Sequence, residues 1–388
     1  MNKMQKLSIL SLSFISLIAT AAMAPALNGI QSHFINAPET LIKLVVTLPA
    51  LICIPIGLLN KAFMKFISKK NLIIIGLLLY TIGGLSSSLS PNIYVLLFTK
   101  VILGLGLGVT APLSLVLIGD FFHGKERAKF MGFATATTNL GGIISTLFVG
   151  FLVSLGWRYS FLVYAVAIIV LFLIVFFLPN DYENNEEKLS TGNLEEDIKL
   201  NKGIFKYAIL VFLGLIAFYA IPTNMDFLVK LRNLGGASTA ANIVSIGTLT
   251  SLISAMIFPK LIKIFKRYFS LIIFISMFLG FIILGTSHSM PMILLGAIFV
   301  GFGFGDVIPF GMLFASNLVH KTHTALAILI VTTGLYFGEF VSPLILQFLS
   351  KTLNIQNVTG SLFGACIVCI VALLVSIYAI ISDRKLVI

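Results

Sequence analysis

Long apolar stretches recur along the whole chain, and they limit its fold more than any other feature. A helix needs about 20 mostly apolar residues to cross the hydrocarbon layer of a bilayer, which is about 30 Å thick. Twelve such stretches are present, at 7–29, 40–60, 72–90, 93–118, 130–154, 159–179, 204–227, 238–259, 269–287, 291–318, 324–350 and 358–382. We therefore predict an all-α membrane protein with twelve transmembrane helices, embedded in the lipid bilayer.

The composition excludes the main soluble alternatives. Of the 388 residues, 58% are hydrophobic and 10% are charged, and the mean hydropathy is +1.07, whereas soluble domains carry about 25% charged residues. A single soluble core stops growing near about 250–300 residues, so it cannot absorb this much apolar surface. Three cysteines are too few for a disulfide-stapled secreted fold. We expect neither a soluble enzyme nor a disordered chain.

The basic residues, which give a net charge of +12, are distributed as in membrane loops. Cytoplasmic loops of membrane proteins carry an excess of Lys and Arg. If the N-terminus is cytoplasmic, 20 of the 26 basic residues fall on the cytoplasmic side of the twelve spans. A nucleic-acid-binding face would gather them on one soluble module. We therefore expect no nucleic-acid partner, and a multi-pass protein of the plasma membrane (a bacterial inner membrane) with both termini in the cytoplasm.

The first apolar stretch has a second interpretation. Lys3 and Lys6, the apolar run and the Ala22-Met23-Ala24 sequence before Pro25 are typical of a cleavable signal peptide. Cleavage would leave eleven spans, and Pro25 has a counterpart, Pro222, in the second half of the chain. We therefore favour a first membrane helix that is retained.

An internal repeat divides the chain into two halves. The long polar stretch 180–203 holds seven of the 14 acidic residues and is typical of a solvated linker, with a regulatory or partner-binding segment as the alternative. At an offset of 197 residues, Gly104, Gly106, Gly108, Pro112, Thr135, Gly141 and Ser145 correspond to Gly301, Gly303, Gly305, Pro309, Thr332, Gly338 and Ser342. We predict two pseudo-symmetric six-helix bundles, 1–179 and 204–388, joined by a cytoplasmic linker. In transporters built from such repeats, the solute site lies between the halves near the membrane midplane.

Several motifs indicate a family. Residues 100–106 carry a basic residue followed by Gly-x-Gly in the fourth predicted helix, Asp120 precedes Arg127 in the next turn, and residues 156–161 (GWRYSF) open the sixth helix. In these motifs the chain resembles the major facilitator superfamily of transporters over essentially its whole length. The resemblance implies the twelve-helix fold of that family and transport by alternating access. The most similar branch is that of the drug/metabolite:proton antiporters, although the Gly-Pro of their fifth helix is missing.

The family's signature turn between helices two and three departs from the usual pattern. Residues 61–70 (KAFMKFISKK) keep its basic end but lack both glycines and the aspartate. In the family that aspartate helps to latch the halves on the cytoplasmic side. Asp120 is a candidate substitute, paired with Lys65 or Lys69. We take Lys65, Lys69, Asp120 and Arg127 as candidates for a cytoplasmic gate.

Two acidic residues lie deep within predicted spans. At 1.5 Å per residue, Asp306 and Glu339 are each about 20 Å from a membrane surface, close to the midplane. A charge there costs about 2.5–3.5 kcal/mol on insertion scales, so such residues usually face a cavity on the transport path. The repeat places Val109 and Gly142 at the equivalent positions, so the shared scaffold requires neither acid. We expect at least one to bind the coupling proton and the other to bind substrate; the alternatives are a bond to a neighbouring hydroxyl or to Lys100.

Other polar residues within the spans are weaker candidates for the cavity. Lys100 replaces the Ala297 of the repeat; the resemblance implies that it lines the cavity and communicates with the protonation site, and snorkelling to the outer surface is the alternative. The further candidates for solute contacts are Asn28, Asn139, Asn224 and Asn242. Interhelical hydrogen bonds are the alternative for these four. We expect Lys43 to anchor at the membrane interface and Asp226 to be solvated.

Three functions fit these features. A proton-coupled exporter of small amphiphilic or cationic compounds fits midplane acids in an otherwise apolar, Phe-rich path. A proton symporter that takes up a small metabolite would need more convergent polar groups. A carrier-like sensor or scaffold that no longer transports is supported only by the altered signature turn. We predict a small-molecule substrate, the proton as coupling ion with no other cofactor, no metal site and a monomer.

Overall fold

A computed structural model describes residues 3–122, 124–178, 203–319, 324–355 and 357–382, and every regular element in those ranges is a helix. The α-helices are α1 (Lys3–Phe14), α2 (Leu27–His33), α3 (Glu39–Phe63), α4 (Lys69–Ser86), α5 (Ile93–Phe121), α6 (Gly124–Leu152), α7 (Val166–Phe177), α8 (Gly203–Phe218), α9 (Ala220–Leu231), α10 (Ala237–Phe265), α11 (Phe269–Thr286), α12 (Met290–Asn317), α13 (Thr324–Thr352) and α14 (Val358–Ser382). The longer 3₁₀ segments are Ala21–Ala26, before α2, and Trp157–Ala165, before α7.

These helices make twelve passes, as the sequence predicts. Ten segments of the described chain are long and apolar enough to span a bilayer. One of them, Ala237–Thr286, contains both α10 and α11. The first pass is additional, because it is broken into α1, the segment Ala21–Ala26 and α2. The predicted linker 180–203 lies outside the described residues, apart from Gly203, and its form stays a prediction.

The first pass of each half is broken near a proline, although the sequence predicts continuous spans. Pro25 lies inside the 3₁₀ segment of the first pass, and Pro222 lies in the first turn of α9. Proline has no N–H to donate, and its ring clashes with the carbonyl four residues earlier. Four residues before Pro222 is Phe218, where α8 ends. Because the two prolines match at the offset of the repeat, both halves break their first pass at the same depth.

The matched glycines of the two halves have matched packing roles. Three glycines of α5 contact α3 and α4, and three glycines of α12 contact α10 and α11 in the same way. The six positions are Gly104, Gly106, Gly108, Gly301, Gly303 and Gly305. Small residues at such crossings let helix backbones approach closely in a membrane. The two pseudo-symmetric bundles are thus confirmed by packing as well as by helix order.

We expect Gly106→Ala to destabilise the protein by about 1–3 kcal/mol, the usual cost of overpacking. A Cβ at Gly106 would meet the backbone of Gly76 and Tyr80 on α4, so α4 and α5 would have to separate. Gly132→Ala is the matched control, because a Cβ there meets nothing within 4 Å. Melting curves of the detergent-extracted variants measure both effects, and equal melting temperatures would contradict this packing role.

The two ends of the molecule differ in charge. The end at which α1 begins and α14 ends, here named the basic face, carries Lys3, Lys6, Lys61, Lys65, Lys69, Lys70, Lys129, Lys206, Lys260, Lys263, Lys266 and Arg267. The other end is named the opposite face. The two halves pack against each other mainly through α3 with α13 and α6 with α10. Between these two seams the halves enclose the space described next.

Candidate functional site

A cavity of about 330 Å³ lies between the two halves, at mid-height of the passes. The first half lines it with the first pass, α5 and α6, and the second half with α8, α9, α10, α12 and α13. The lining residues of α5 (107–115) and α6 (134–139) lie in the parts of those helices nearer the basic face. The cavity therefore leads toward the basic face.

Several polar side chains of the cavity wall use their donors on their own helices. The hydroxyls that donate to the carbonyl four residues earlier are those of Ser16, Thr135, Thr138 and Thr248. The side-chain amide of Asn139 donates to the Thr135 carbonyl at 3.0 Å. A hydroxyl or amide that has donated still presents its oxygen as an acceptor. Much of the remaining wall is apolar and includes Phe218 and Phe304, whose stacked rings have centroids 3.5 Å apart.

Glu339 is the one acidic side chain that lines the cavity within the described part of the chain, where no Lys, Arg or His side chain lines it. It lies in the middle of α13 and is only 4% exposed. Its Oε1 atom is buried and has no hydrogen-bond partner among the described residues. An unpaired buried carboxylate is costly, so it is stabilised by binding a proton or a cation.

The side chains around Glu339 come from both halves. The hydroxyls of Thr20 and Tyr219 lie close to its carboxylate and are 3.2 Å from each other. Tyr336, one turn away on α13, and the thiol of Cys53 on α3 contact each other and lie close to the same carboxylate. Thr20 and Cys53 belong to the first half, so Glu339 lies where the two halves meet.

Hydrogen bonds between the halves close the cavity toward the opposite face. Within the described residues the pairs are Thr20–Tyr219, Asn28–Asp226, Asn28–Lys230, Lys43–Asn224, Thr47–Phe340 and Gly150–Ser238. The Nζ atom of Lys43 donates to Oδ1 of Asn224 at 2.6 Å and pairs with Glu39 at 2.7 Å. The backbone N–H of Asn28 donates to Oδ2 of Asp226 at 2.7 Å. We name Asn28, Lys43, Asn224, Asp226 and Lys230 the latch.

The expected surface roles of Lys43 and Asp226 are wrong. Both residues are 4% exposed, and each bonds to the other half of the chain. Their positions near helix ends suggested contact with water, but the packing of the halves covers them. Asn28 and Asn224 were candidates for solute contacts, with interhelical hydrogen bonds as the alternative. The structure contains the alternative, because both residues bond across the halves in the latch.

Asp306 lies away from the cavity, inside the second half. It is fully buried, its Oδ2 atom accepts a hydrogen bond from the Ser254 hydroxyl of α10 at 2.6 Å, and its Oδ1 atom has no partner among the described residues. The cavity-lining residues of α12 are Phe304 and Ile308. The expectation that Asp306 faces the cavity is therefore wrong, and the bond to a neighbouring hydroxyl is what the structure contains.

Lys100 neither lines the cavity nor reaches the surface, so both expectations for it are wrong. It is fully buried within the first half, and its Nζ atom donates to the Tyr164 hydroxyl at 2.9 Å. The ammonium also lies 4.8 Å from the ring centroid of Phe161 and 4.2 Å from that of Tyr164. Aromatic faces of this kind stabilise a cation away from water.

The last two polar candidates, Asn139 and Asn242, differ in their position relative to the cavity. Asn139 lines the cavity. Asn242 does not line it and is exposed on the surface of α10. For Asn242 the expected solute contact is therefore wrong.

Two of the gate candidates on the basic face pair with each other, within the first half. Lys69 and Asp120 form an ion pair at 2.8 Å, as the sequence predicts. The pair joins α4 to α5, so it does not by itself hold the two halves together. Lys65 is exposed, and the side chain of Arg127 lies outside the described part of the structure.

Sequence reasoning missed Thr20, Tyr219, Tyr336 and Cys53. A signal for the first two was present in the repeat but was not used, because a proline interrupts the hydrogen bonds of a helix and both first passes contain one at matched positions. Thr20 directly precedes the 3₁₀ segment, and Tyr219 lies between α8 and α9. Tyr336 and Cys53 gave no comparable signal, since one hydroxyl or thiol among many apolar residues is not distinctive.

Comparison with known proteins identifies relatives along most of the chain. A sequence model described as Major Facilitator Superfamily matches residues 9–343. The quinolone resistance protein NorA of Staphylococcus aureus is 26% identical over 293 residues, which are 72% of this chain and 73% of that protein. The vacuolar basic amino acid transporter 2 of Saccharomyces cerevisiae is 29% identical over 131 residues, which are 33% of this chain and 28% of that protein. The first curated relatives are each matched over about half of their own length or less.

A solved structure shows the same fold. A bacterial homolog of the human lysosomal transporter Spinster, in an inward-facing and unoccupied conformation, superposes with a TM-score of 0.80 at 13% sequence identity. The match covers 99% of this chain and 98% of that one.

Proposed function

The chain belongs to the major facilitator superfamily, and from this premise we propose that it exports small amphiphilic cations in exchange for protons. One observation carries the proposal: the cavity wall combines a single carboxylate with oxygen acceptors and aromatic surface, and none of the described basic side chains lines it. Such a wall favours a cation with an apolar body, because the carboxylate attracts the charge and the aromatic faces contact the rest. The name of NorA, a quinolone resistance protein, supports a small drug-like compound as the substrate.

Glu339 is proposed to bind the proton and the substrate cation in turn. In the conformation described, the latch is closed and the cavity leads toward the basic face. A cation that enters there takes the place of the proton on Glu339. When the latch opens, the cation leaves toward the opposite face and a proton from that side binds Glu339. The protonated carrier then returns to the conformation that opens toward the basic face, so each cycle exchanges the substrate cation for a proton.

The proposed orientation places the basic face in the cytoplasm. The excess of Lys and Arg on that face supports it, because cytoplasmic loops carry this bias. Both termini are then cytoplasmic, and the protein acts in the plasma membrane of a bacterium. We propose that it works as a monomer, since the cavity is lined by the two halves of one chain, and that the proton is its coupling ion.

The proposal is tested with the purified protein in liposomes that have an acidic lumen and contain a pH-sensitive dye. We expect external ethidium, an aromatic cation, to accumulate in the lumen and to drive protons out, which the dye reports. Liposomes without protein measure passive entry. A proton gradient that drives xylose or a nucleoside but leaves ethidium unmoved would contradict export and favour a symporter.

A further inference from the structure

Two hydroxyl groups from equivalent places in the two halves meet at Glu339. Thr20 lies at the break of the first pass of one half, and Tyr219 lies at the break of the first pass of the other. Their oxygens are 3.2 Å apart, and both lie close to the Glu339 carboxylate. Thr20 is 4% exposed and Tyr219 is 3% exposed, so this contact is shielded from water. It lies where the cavity ends toward the opposite face.

The strength of this contact depends on what Glu339 carries. An ionised carboxylate only accepts hydrogen bonds, so it can accept from Tyr219 of its own half and from Thr20 of the other half. Hydrogen bonds to an ionised acceptor are roughly twice as strong as neutral ones. A proton or a bound cation removes this advantage, because it neutralises the carboxylate or competes for its oxygens. The bridge between the halves is therefore strongest when Glu339 is ionised and the cavity is empty.

We propose that Thr20 and Tyr219 form an interlock with Glu339 that prevents the empty, ionised carrier from opening toward the opposite face. The inference rests on the proposed function, in which Glu339 binds the proton. Tyr219 and Thr20 are positioning residues here, since they act through Glu339 and need not contact the substrate.

An interlock of this kind is what exchange requires. If the empty ionised carrier changed conformation as readily as the protonated one, it would return and bind another proton without moving substrate. The result would be a proton leak that dissipates the gradient. An ionic bridge that only a proton or a cation weakens allows the two loaded forms to change conformation and holds the empty form in place.

Two other titratable groups lie near Glu339. Tyr336 of α13 and Cys53 of α3 lie close to the carboxylate, as Tyr219 of the bridge does. Among the described residues, no Lys, Arg or His side chain lines the cavity beside it. Thr20 is thus the group of the first pass that connects Glu339 to the other half.

The test measures proton leak without substrate, in liposomes with an acidic lumen and no ethidium. We expect Tyr219→Phe and Thr20→Val each to raise the leak about tenfold or more, because each removes a bond to a charged acceptor. Thr20→Ser keeps the hydroxyl and should keep the leak at the level of the unmodified protein. The double variant Tyr219→Phe/Glu339→Gln should not leak, since it has no site to carry the proton.

Tyr80→Phe is the matched control for the loss of a buried tyrosine hydroxyl. That hydroxyl bonds to the Ile15 carbonyl within the first half, at 2.9 Å, and we expect no added leak. If Tyr219→Phe fails to fold, the proton leak of Thr20→Val alone tests the interlock. A raised leak in that variant also shows that it is folded, because only a folded carrier moves protons. If neither Tyr219→Phe nor Thr20→Val raises the proton leak, while Glu339→Gln loses exchange, the interlock is overturned and the proposed export is not. Unchanged exchange in Glu339→Gln would instead overturn the proposed function.

Discussion

Glu339→Gln is expected to abolish proton exchange and leave the protein folded. Glutamine has nearly the same shape as glutamate but neither charge nor titratable proton, so Tyr219 and Thr20 can still bond to its carbonyl oxygen. The buried Oε1 atom, which has no partner among the described residues, then no longer belongs to a charged group. We expect the loss of lumen protons driven by ethidium to fall to the level of liposomes without protein.

Asp306→Asn makes the same chemical change at the other buried acid. Asp306 bonds to Ser254 inside the second half and does not line the cavity, so we expect ethidium to continue to drive proton loss in this variant. Size-exclusion profiles of both variants show whether they remain folded. The reverse pattern, with exchange lost in Asp306→Asn and kept in Glu339→Gln, would move the coupling site out of the cavity.

Lys43→Met is expected to open the latch. Lys43 is buried, donates to Asn224 of the other half at 2.6 Å and pairs with Glu39 at 2.7 Å. A bond that involves a charged group contributes about 1.5–3 kcal/mol, and each 1.4 kcal/mol is a factor of ten in an equilibrium constant. Loss of the charge should therefore raise the population open toward the opposite face about tenfold or more.

A cysteine at position 24 reports this opening. Ala24 is 1% exposed and lies in the 3₁₀ segment that packs on α9 and α10 of the other half. We expect Lys43→Met to speed labelling of Ala24→Cys by a membrane-impermeant maleimide added at the opposite face. The three native cysteines are buried, and the parent without the added cysteine measures their labelling.

Lys351→Met is the matched control for the loss of a lysine on the same face. Lys351 is exposed, lines the same surface pocket as Lys43 and Glu39, and is not among the latch residues. We expect labelling at position 24 to be unchanged in this variant. Equal labelling rates in Lys43→Met and Lys351→Met would show that Lys43 does not hold the halves together.

The apolar stretches and the repeat were enough to predict the architecture. Membrane helices must satisfy their own backbone hydrogen bonds, so length and hydropathy alone locate them. The matched glycines predicted two similar bundles, because close helix crossings need small residues wherever they occur. The Lys69–Asp120 pair was one of the two pairs expected for Asp120, since neighbouring helices in one bundle bring their connecting turns together.

Which acid faces the cavity was decided only by the tertiary structure. Asp306 and Glu339 have similar depth in the membrane, and depth follows from counting residues along a helix. The direction in which each side chain points depends on helix rotation, which packing against neighbouring helices sets. The sequence therefore determined that two acids lie near the midplane, whereas packing turned Asp306 toward Ser254 and Glu339 toward the cavity.

The hydrogen bonds of the latch were likewise decided only by the tertiary structure. Lys43 and Asp226 stand near the ends of apolar stretches, and position along the chain associates such residues with water. Their partners are about 180 and 200 residues away, and only the docking of the two bundles brings them together. The sequence by itself determined the helices, their order and their division into two similar halves. The tertiary structure decided what lies between the halves, because long-range contacts form from surfaces that local patterns do not specify.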